Sequence, residues 1–414
     1  MAIKLREPEP GVDWNAVSRW ERGVNQPGTY YTRLLCLLFD LPAPELGLAP
    51  APEPPVSYAA LDRLLAGWGL NEVQRREFLR VMAAVVGDTT LAPLSTALPA
   101  EAWERLAGTL RRPSRIDTAT LADLEKVTVT LERSERDVRP RSLLGPTLGH
   151  LETLTNLLKE NPPTAARRHL ASLLGETAGV AGWLLWDLGA NDSASAYVRT
   201  ALEAAREAED AALGAYLIGT ASVVENRREN PDGRISRLLE HHFGFSRADA
   251  SPSTLAYLAM LEAKARARTG KGDRTLRAID EAVVAMTSHD DDADRRRPRV
   301  TFYDSRRLAG EQGICLVRLK RSVDARAVLE PALAALTPDQ VKTRPGLMTA
   351  LAATYVADGE IEEACRIGTA ALAMAAEMEI EPSRQDVLEL REQLAPWQNA
   401  SVVRQLDEQL ATAN

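Results

Sequence analysis

Apolar positions recur along this chain at the spacing of helix faces. Leu61, Leu64, Leu65 and Trp68 form one such set, and Leu143, Leu144, Leu148, Leu151, Leu154, Leu157 and Leu158 another. The stretch from Tyr58 to about Glu160 therefore predicts several helices, divided at Pro113 and Pro140. Phe78, Leu79, Met82 and Val85 share a face of a further helix. Its Arg75-Arg76-Glu77-Phe78-Leu79 string imitates a twin-arginine export signal but stands too far inside the chain to serve as one. The β-branched and aromatic runs that strands need hardly occur outside Val127–Thr130, so the expectation is an all-α fold.

Beyond Pro163 the pattern changes to pairs of helices joined by short turns. The clearest unit runs from Gly182-Trp183-Leu184-Leu185-Trp186-Asp187-Leu188-Gly189 through Ala194, Tyr197, Ala201, Leu202 and Ala205. Leu261, Ala265, Ala267, Gly270, Asp273, Leu276, Ile279, Ala282 and Val283 repeat the theme. So do Gly313-Ile314-Cys315-Leu316 to Ala332-Leu333, and Leu351-Ala352-Ala353 through Gly359 and Ala364 to Ala371-Leu372. Large residues in the second helices (Leu202, Val283, Leu333, Leu372) recur near one or two units of about 40 residues. This pattern resembles the tetratricopeptide repeat with lengthened turns. The resemblance implies an α-solenoid in which Gly closes turns, Ala lets helices approach and the large residues fill the layer between neighbours.

Pro42–Pro55 holds six prolines, which block helix propagation and favour an extended linker. Four regions follow: a small unit over 1–41, a Pro-rich linker over 42–57, a helical connector over 58–163 and the repeat domain over 164–414.

The first unit carries the most informative stretch. Asp13 is a good N-cap, Val17 and Trp20 share a face, Gly23 can end the helix and Pro27 prevents its continuation. A second helix, Tyr30 to Phe39, follows. The string VSRWERG with a proline four residues on, ahead of a Leu-rich helix, resembles the recognition helix of lambda-repressor-type (XRE) helix-turn-helix domains. That resemblance implies that Trp14, Asn15 and Arg19 face base edges and that Arg22 and Asn25 meet phosphates. Asn suits adenine and Arg suits guanine in the major groove. Only twelve residues precede Asp13, where such domains have two more helices, so the unit is expected to be a partial helix-turn-helix. It carries as many acidic as basic residues and so is not a positive patch.

Composition narrows the class further. The net charge of −8 argues against a nucleic-acid surface over the whole molecule. Cys36, Cys315 and Cys365 include no CxxC and have no His at ligand spacing, so no disulfide framework or zinc site is indicated and a reducing cytoplasm is expected. No apolar run is long enough for a membrane span. His241-His242, the acidic run His289–Asp294 with its three following arginines, and Gly270-Lys271-Gly272-Asp273 each miss the spacing of a metal, calcium or phosphate site. With no nucleophile or metal motif in view, an enzyme is not expected and no cofactor is called for.

The whole arrangement resembles high-GC bacterial XRE-type regulators with tetratricopeptide sensor domains and, more distantly, quorum-sensing regulators that hold a peptide in a repeat groove. That implies a cytoplasmic, homodimeric transcriptional regulator that contacts DNA and takes a peptide, small molecule or protein ligand. Tyr216, Asn226, Tyr257, Arg266 and Tyr303, on or beside first helices of pairs, are the candidate ligand contacts, because Asn can bond an extended backbone and Tyr gives contact area at low entropy cost. The rival expectation is a tetratricopeptide-like scaffold that binds protein and has lost DNA binding.

Overall fold

A computed structural model describes residues 116–160, 162–226, 251–287, 303–337 and 340–412, together with Ala102, Arg105 and Leu106. The chain divides into two units, Met1–Tyr58 and Ala59–Asn414, and every described residue belongs to the second. The helix expected over 13–23, the linker, the Arg75–Leu79 helix, His241-His242 and the 289–297 run lie outside the described residues.

Among the described residues the fold is all-α. The thirteen α-helices are α1 (Thr118–Ser134), α2 (Pro140–Lys159), α3 (Thr164–Asp187), α4 (Asn191–Glu207), α5 (Ala211–Asn226), α6 (Pro252–Arg268), α7 (Gly272–Thr287), α8 (Ser305–Arg318), α9 (Ser322–Ala334), α10 (Thr343–Asp358), α11 (Ile361–Glu377), α12 (Glu381–Gln393) and α13 (Ser401–Thr412). Pro140 occupies the first turn of α2, where its missing N–H costs nothing, and Pro163 is the N-cap of α3. The β-branched run Val127–Thr130 lies within α1, where Val127 and Thr128 pack inward and Thr130 bonds back to the Lys126 carbonyl. Burial of one helix face outweighs the weak strand propensity of four residues.

Helices α3/α4, α6/α7, α8/α9 and α10/α11 pack as antiparallel pairs, and α12 and α13 carry the helical series past residue 380 to Thr412. Six of the turns share one device. Gly189, Glu209, Gly270, Lys320, Gly359 and Glu379 adopt positive φ of 76, 55, 70, 58, 79 and 57°. In each the next residue's N–H reaches back to a carbonyl of the last helical turn, as from Lys271 to Arg266 at 3.2 Å and from Arg321 to Leu316 at 3.0 Å. This is the Schellman arrangement, which satisfies carbonyls that a helix end would leave unbonded. Where Gly supplies the turn the conformation is nearly free; the side chains of Glu209, Lys320 and Glu379 make it strained.

Close approach inside a pair also needs glycine. A Cβ at Gly313 in α8 would stand 2.5 Å from both Cγ and Cδ2 of Leu329 in α9. The second helices differ from expectation at one marker. Ala282 is fully buried but Val283 is 38% exposed, because one step along a helix turns a side chain by about 100°. The inward layer of α7 is Thr275, Ala278, Ile279 and Ala282 instead.

The core is a train of clusters and not one centre. The first joins α1 to α4 through Leu124, Leu131, Leu143, Leu154 and Leu170; another runs from α8 to α13 through Leu316, Leu329, Leu351, Val387 and Leu406. Each helix layer buries its apolar stripe on its neighbours, as in stacked repeats.

Candidate functional site

The first helices of the series also touch one another. α3 packs on α5, α5 on α6, α6 on α8, α8 on α10, α10 on α12, and α12 returns to α3. A closed ring of six helices results. It surrounds a cavity of about 530 Å3, with α1 and the α9–α10 segment contributing to its wall.

A second tie to the end of α3 comes from the segment before α10 and is made by charge. Lys342, just ahead of α10, places Nζ 2.8 Å from Asp187 Oδ2 at the end of α3 and 3.2 Å from Glu135 Oε1 just after α1. Burial pushes the Asp187 carboxyl up to about 6, against the pull of Lys342 and with a further push from Glu135. Burial works against the Lys342 ammonium as well, but Glu135 and Asp187 outweigh it and hold its pKa above the ordinary lysine value. Outside the cavity, Arg141 Nε lies 3.2 Å from Glu379 Oε1 and joins α2 to the α11–α12 turn.

An aromatic series crosses the ring on one side. Trp186 and Trp183 meet edge to face with centroids 5.3 Å apart, and Trp183 Nε1 donates to Tyr216 Oη at 3.2 Å. Tyr216 stands 6.0 Å from Tyr257, and Tyr257 stands 5.4 Å from Tyr303. Tyr303 Oη then donates to Glu311 Oε2 at 2.9 Å, while Lys264 Nζ lies 3.4 Å from Glu311 Oε1. Burial is the largest cause raising the pKa of all three tyrosines, so they stand as neutral phenols.

The candidate ligand contacts fall in three places. Tyr216 lines the cavity with Trp183 and Trp186. Tyr257 and Tyr303, 2% and 3% exposed, fill the seam between α5, α6 and α8 and support Tyr216 from behind. Arg266 ion-pairs with Glu262 on its own helix and bonds the Arg274 carbonyl at 3.3 Å, so its side chain serves the α6–α7 turn. Asn226 is the last residue of α5, and its side chain lies outside the described residues. Trp14, Asn15, Arg19, Arg22 and Asn25 lie outside them too.

No family model and no curated protein matches this chain. The arrangement of side chains is thus the basis for a functional reading.

Sequence reasoning did not single out Lys342 or Arg318 and took Trp183 and Asp187 only as parts of a repeat unit; all four stand on the cavity wall. For Lys342 a signal existed: it is one of only 7 lysines in a chain with 43 arginines. Its ammonium, a compact charge with three rotatable donors, bonds both carboxylates at once. Cys315 is buried among α6 to α8, and its thiol is pushed up to about 12 by burial, which keeps it protonated. Among the described residues, no group of three or more His, Cys, Asp or Glu could hold a metal ion, and no helix is long and apolar enough to cross a membrane.

Proposed function

We propose that this chain is a ligand-responsive transcriptional regulator of the XRE type, whose repeat domain binds a peptide, small molecule or protein. The observation that supports this reading is the cavity inside the ring of first helices. At about 530 Å3 it falls in the size range of ligand sites. Its wall joins aromatic faces at Trp183, Trp186 and Tyr216 to charged groups of both signs, the mixture that fixes an amphipathic ligand.

In this reading the 13–23 helix contacts DNA through Trp14, Asn15, Arg19, Arg22 and Asn25. One such helix reads a half-site, so the working form is a cytoplasmic homodimer. A ligand that binds the closed ring more tightly than an opened one shifts the population between them, and the Lys342 contact is the element such a shift would make or break.

The test is a titration of the 414-residue chain against DNA fragments from around its own gene, at two salt concentrations, beside an Arg19→Ala variant. Sequence-selective binding that Arg19→Ala abolishes supports the regulator. Binding no tighter than to unrelated DNA overturns it, and leaves a protein-binding scaffold as the reading of the repeat domain.

A further inference from the structure

Most of the cations on the cavity wall are already matched. Lys342 serves Asp187 and Glu135, Lys264 and Arg307 face Glu311, and Arg306 pairs with Asp304 at 2.7 Å. Arg318 differs. It ends α8, is half-buried, lines the cavity, and its side chain makes no hydrogen bond or ion pair among the described residues. Arg268, ending α6 on the same wall, is equally without a side-chain partner and is close enough to repel it.

A half-buried guanidinium that bonds only solvent and stands next to a second cation is an unfavourable arrangement for the empty protein, and a bound anion would relieve it. Withdrawal from water and then the charge of Arg268 both lower the Arg318 pKa. Asp386 and Glu389 of α12 act on it favourably through space but form no ion pair with it. An anion placed there would engage both arginines, and the guanidinium fork suits a planar two-oxygen acceptor. The two α12 carboxylates nearby disfavour a dianion such as phosphate relative to a singly charged carboxylate.

The remainder of the wall suits the rest of such a molecule. Leu261, Ile314, Val317, Leu347 and Ala350 add apolar surface to Trp183 and Tyr216. We infer that the cavity takes a ligand with a carboxylate and an apolar body, and that Arg318, helped by Arg268, holds the carboxylate. This deepens the ligand-binding reading above and rests on it.

The experiment measures fluorescence titrations of the 414-residue protein with two dyes, the anionic anilinonaphthalene sulfonate and the uncharged phenylnaphthylamine. The variants are Arg318→Gln, Arg318→Lys and, as an equal change of net charge at an exposed position of α13, Arg404→Gln. Thermal unfolding of each confirms an intact fold. Arg318→Gln should weaken the anionic dye about tenfold to a hundredfold, the range of one charge-assisted hydrogen bond or two. Arg318→Lys should weaken it less, and Arg404→Gln and the uncharged dye should show no such change. Octanoate should displace the anionic dye, and inorganic phosphate at matched ionic strength should not.

Equal binding of the anionic dye to wild type and Arg318→Gln, with the uncharged dye still bound, overturns the arginine anchor and leaves the cavity as a ligand site. No binding of either dye overturns both. Displacement by phosphate in place of octanoate overturns the carboxylate assignment.

Discussion

The Lys342 ammonium lies 2.8 Å from the Asp187 carboxylate across 155 residues of sequence, and the two side chains are only 10% and 7% exposed. Their contact ties the segment before α10 to the end of α3.

Removing one partner of such a pair strands the other. Lys342→Met should destabilise the protein by about 2–4 kcal/mol at neutral pH, toward the size of a broken buried ion pair, while Lys342→Met with Asp187→Asn should recover much of the loss. The sign with pH follows from the raised Asp187 pKa. The folded form takes up its proton near 6 and the unfolded form near 3.8, so this group's contribution to stability declines as pH rises through that interval. In Lys342→Met the window moves higher still, and the deficit should shrink on going from pH 8 to pH 5. Denaturant midpoints of the three proteins at both values check this. A deficit that does not change with pH would count against a stranded carboxylate.

His150 pulls the other way. It is 3% exposed, its Nε2 lies 2.9 Å from Thr128 Oγ1, and burial depresses its pKa to about 3. The unfolded chain binds this proton near 6.5 and the folded one does not, so its contribution is present above 6.5 and is lost as pH falls below that value. The slope approaches about 1.4 kcal/mol per pH unit. His150→Gln should flatten the acid limb of a stability-against-pH curve. An unchanged limb would show that other groups govern acid unfolding.

Gly313→Ala tests the close approach of α8 and α9. The added Cβ must displace Leu329, whose Cγ lies 2.5 Å away and whose side chain is fully buried. The expected cost is about 1–3 kcal/mol by overpacking, despite the better helix propensity of Ala. A thermal midpoint at or above wild type would mean that the two helices part without cost.

Lys320→Gly acts in the opposite direction. Lys320 is exposed and sits at φ 58° in the α8–α9 turn. Glycine relieves about 1–2 kcal/mol of left-handed strain but gives up unfolded-state entropy, leaving a gain of about 0.5–1 kcal/mol. Unfolding in urea measures it, and a loss of stability would place the strain elsewhere.

The helical class and the pairing of helices were legible because they depend on local spacing. Pro140 and Pro163 mark the starts of α2 and α3, and Gly189, Gly270 and Gly359 mark turns. Glu209, Lys320 and Glu379 make the same turn without glycine, so sequence alone could not place those turns equally well. Tyr216, Tyr257 and Tyr303 were singled out one at a time, and only the fold shows that they adjoin and that two of the three are enclosed. The cavity depends on the curvature added at each pair, a sum of small rotations that no single residue encodes. Arg318 was invisible for a related reason: its lack of a partner depends on six helices at once.

The contact of α12 with α3 has a consequence for how the molecule comes apart. An open array of repeats has two free ends, and unfolding can begin at either one while the remaining interfaces stay intact. In a cycle each first helix of the ring has a neighbour on both sides. Deleting a unit breaks two interfaces, and adding one spoils the register of closure between α12 and α3. Repeat number, which open arrays vary freely, is therefore a fixed quantity here, and melting should proceed as one transition where an open array would fray stepwise.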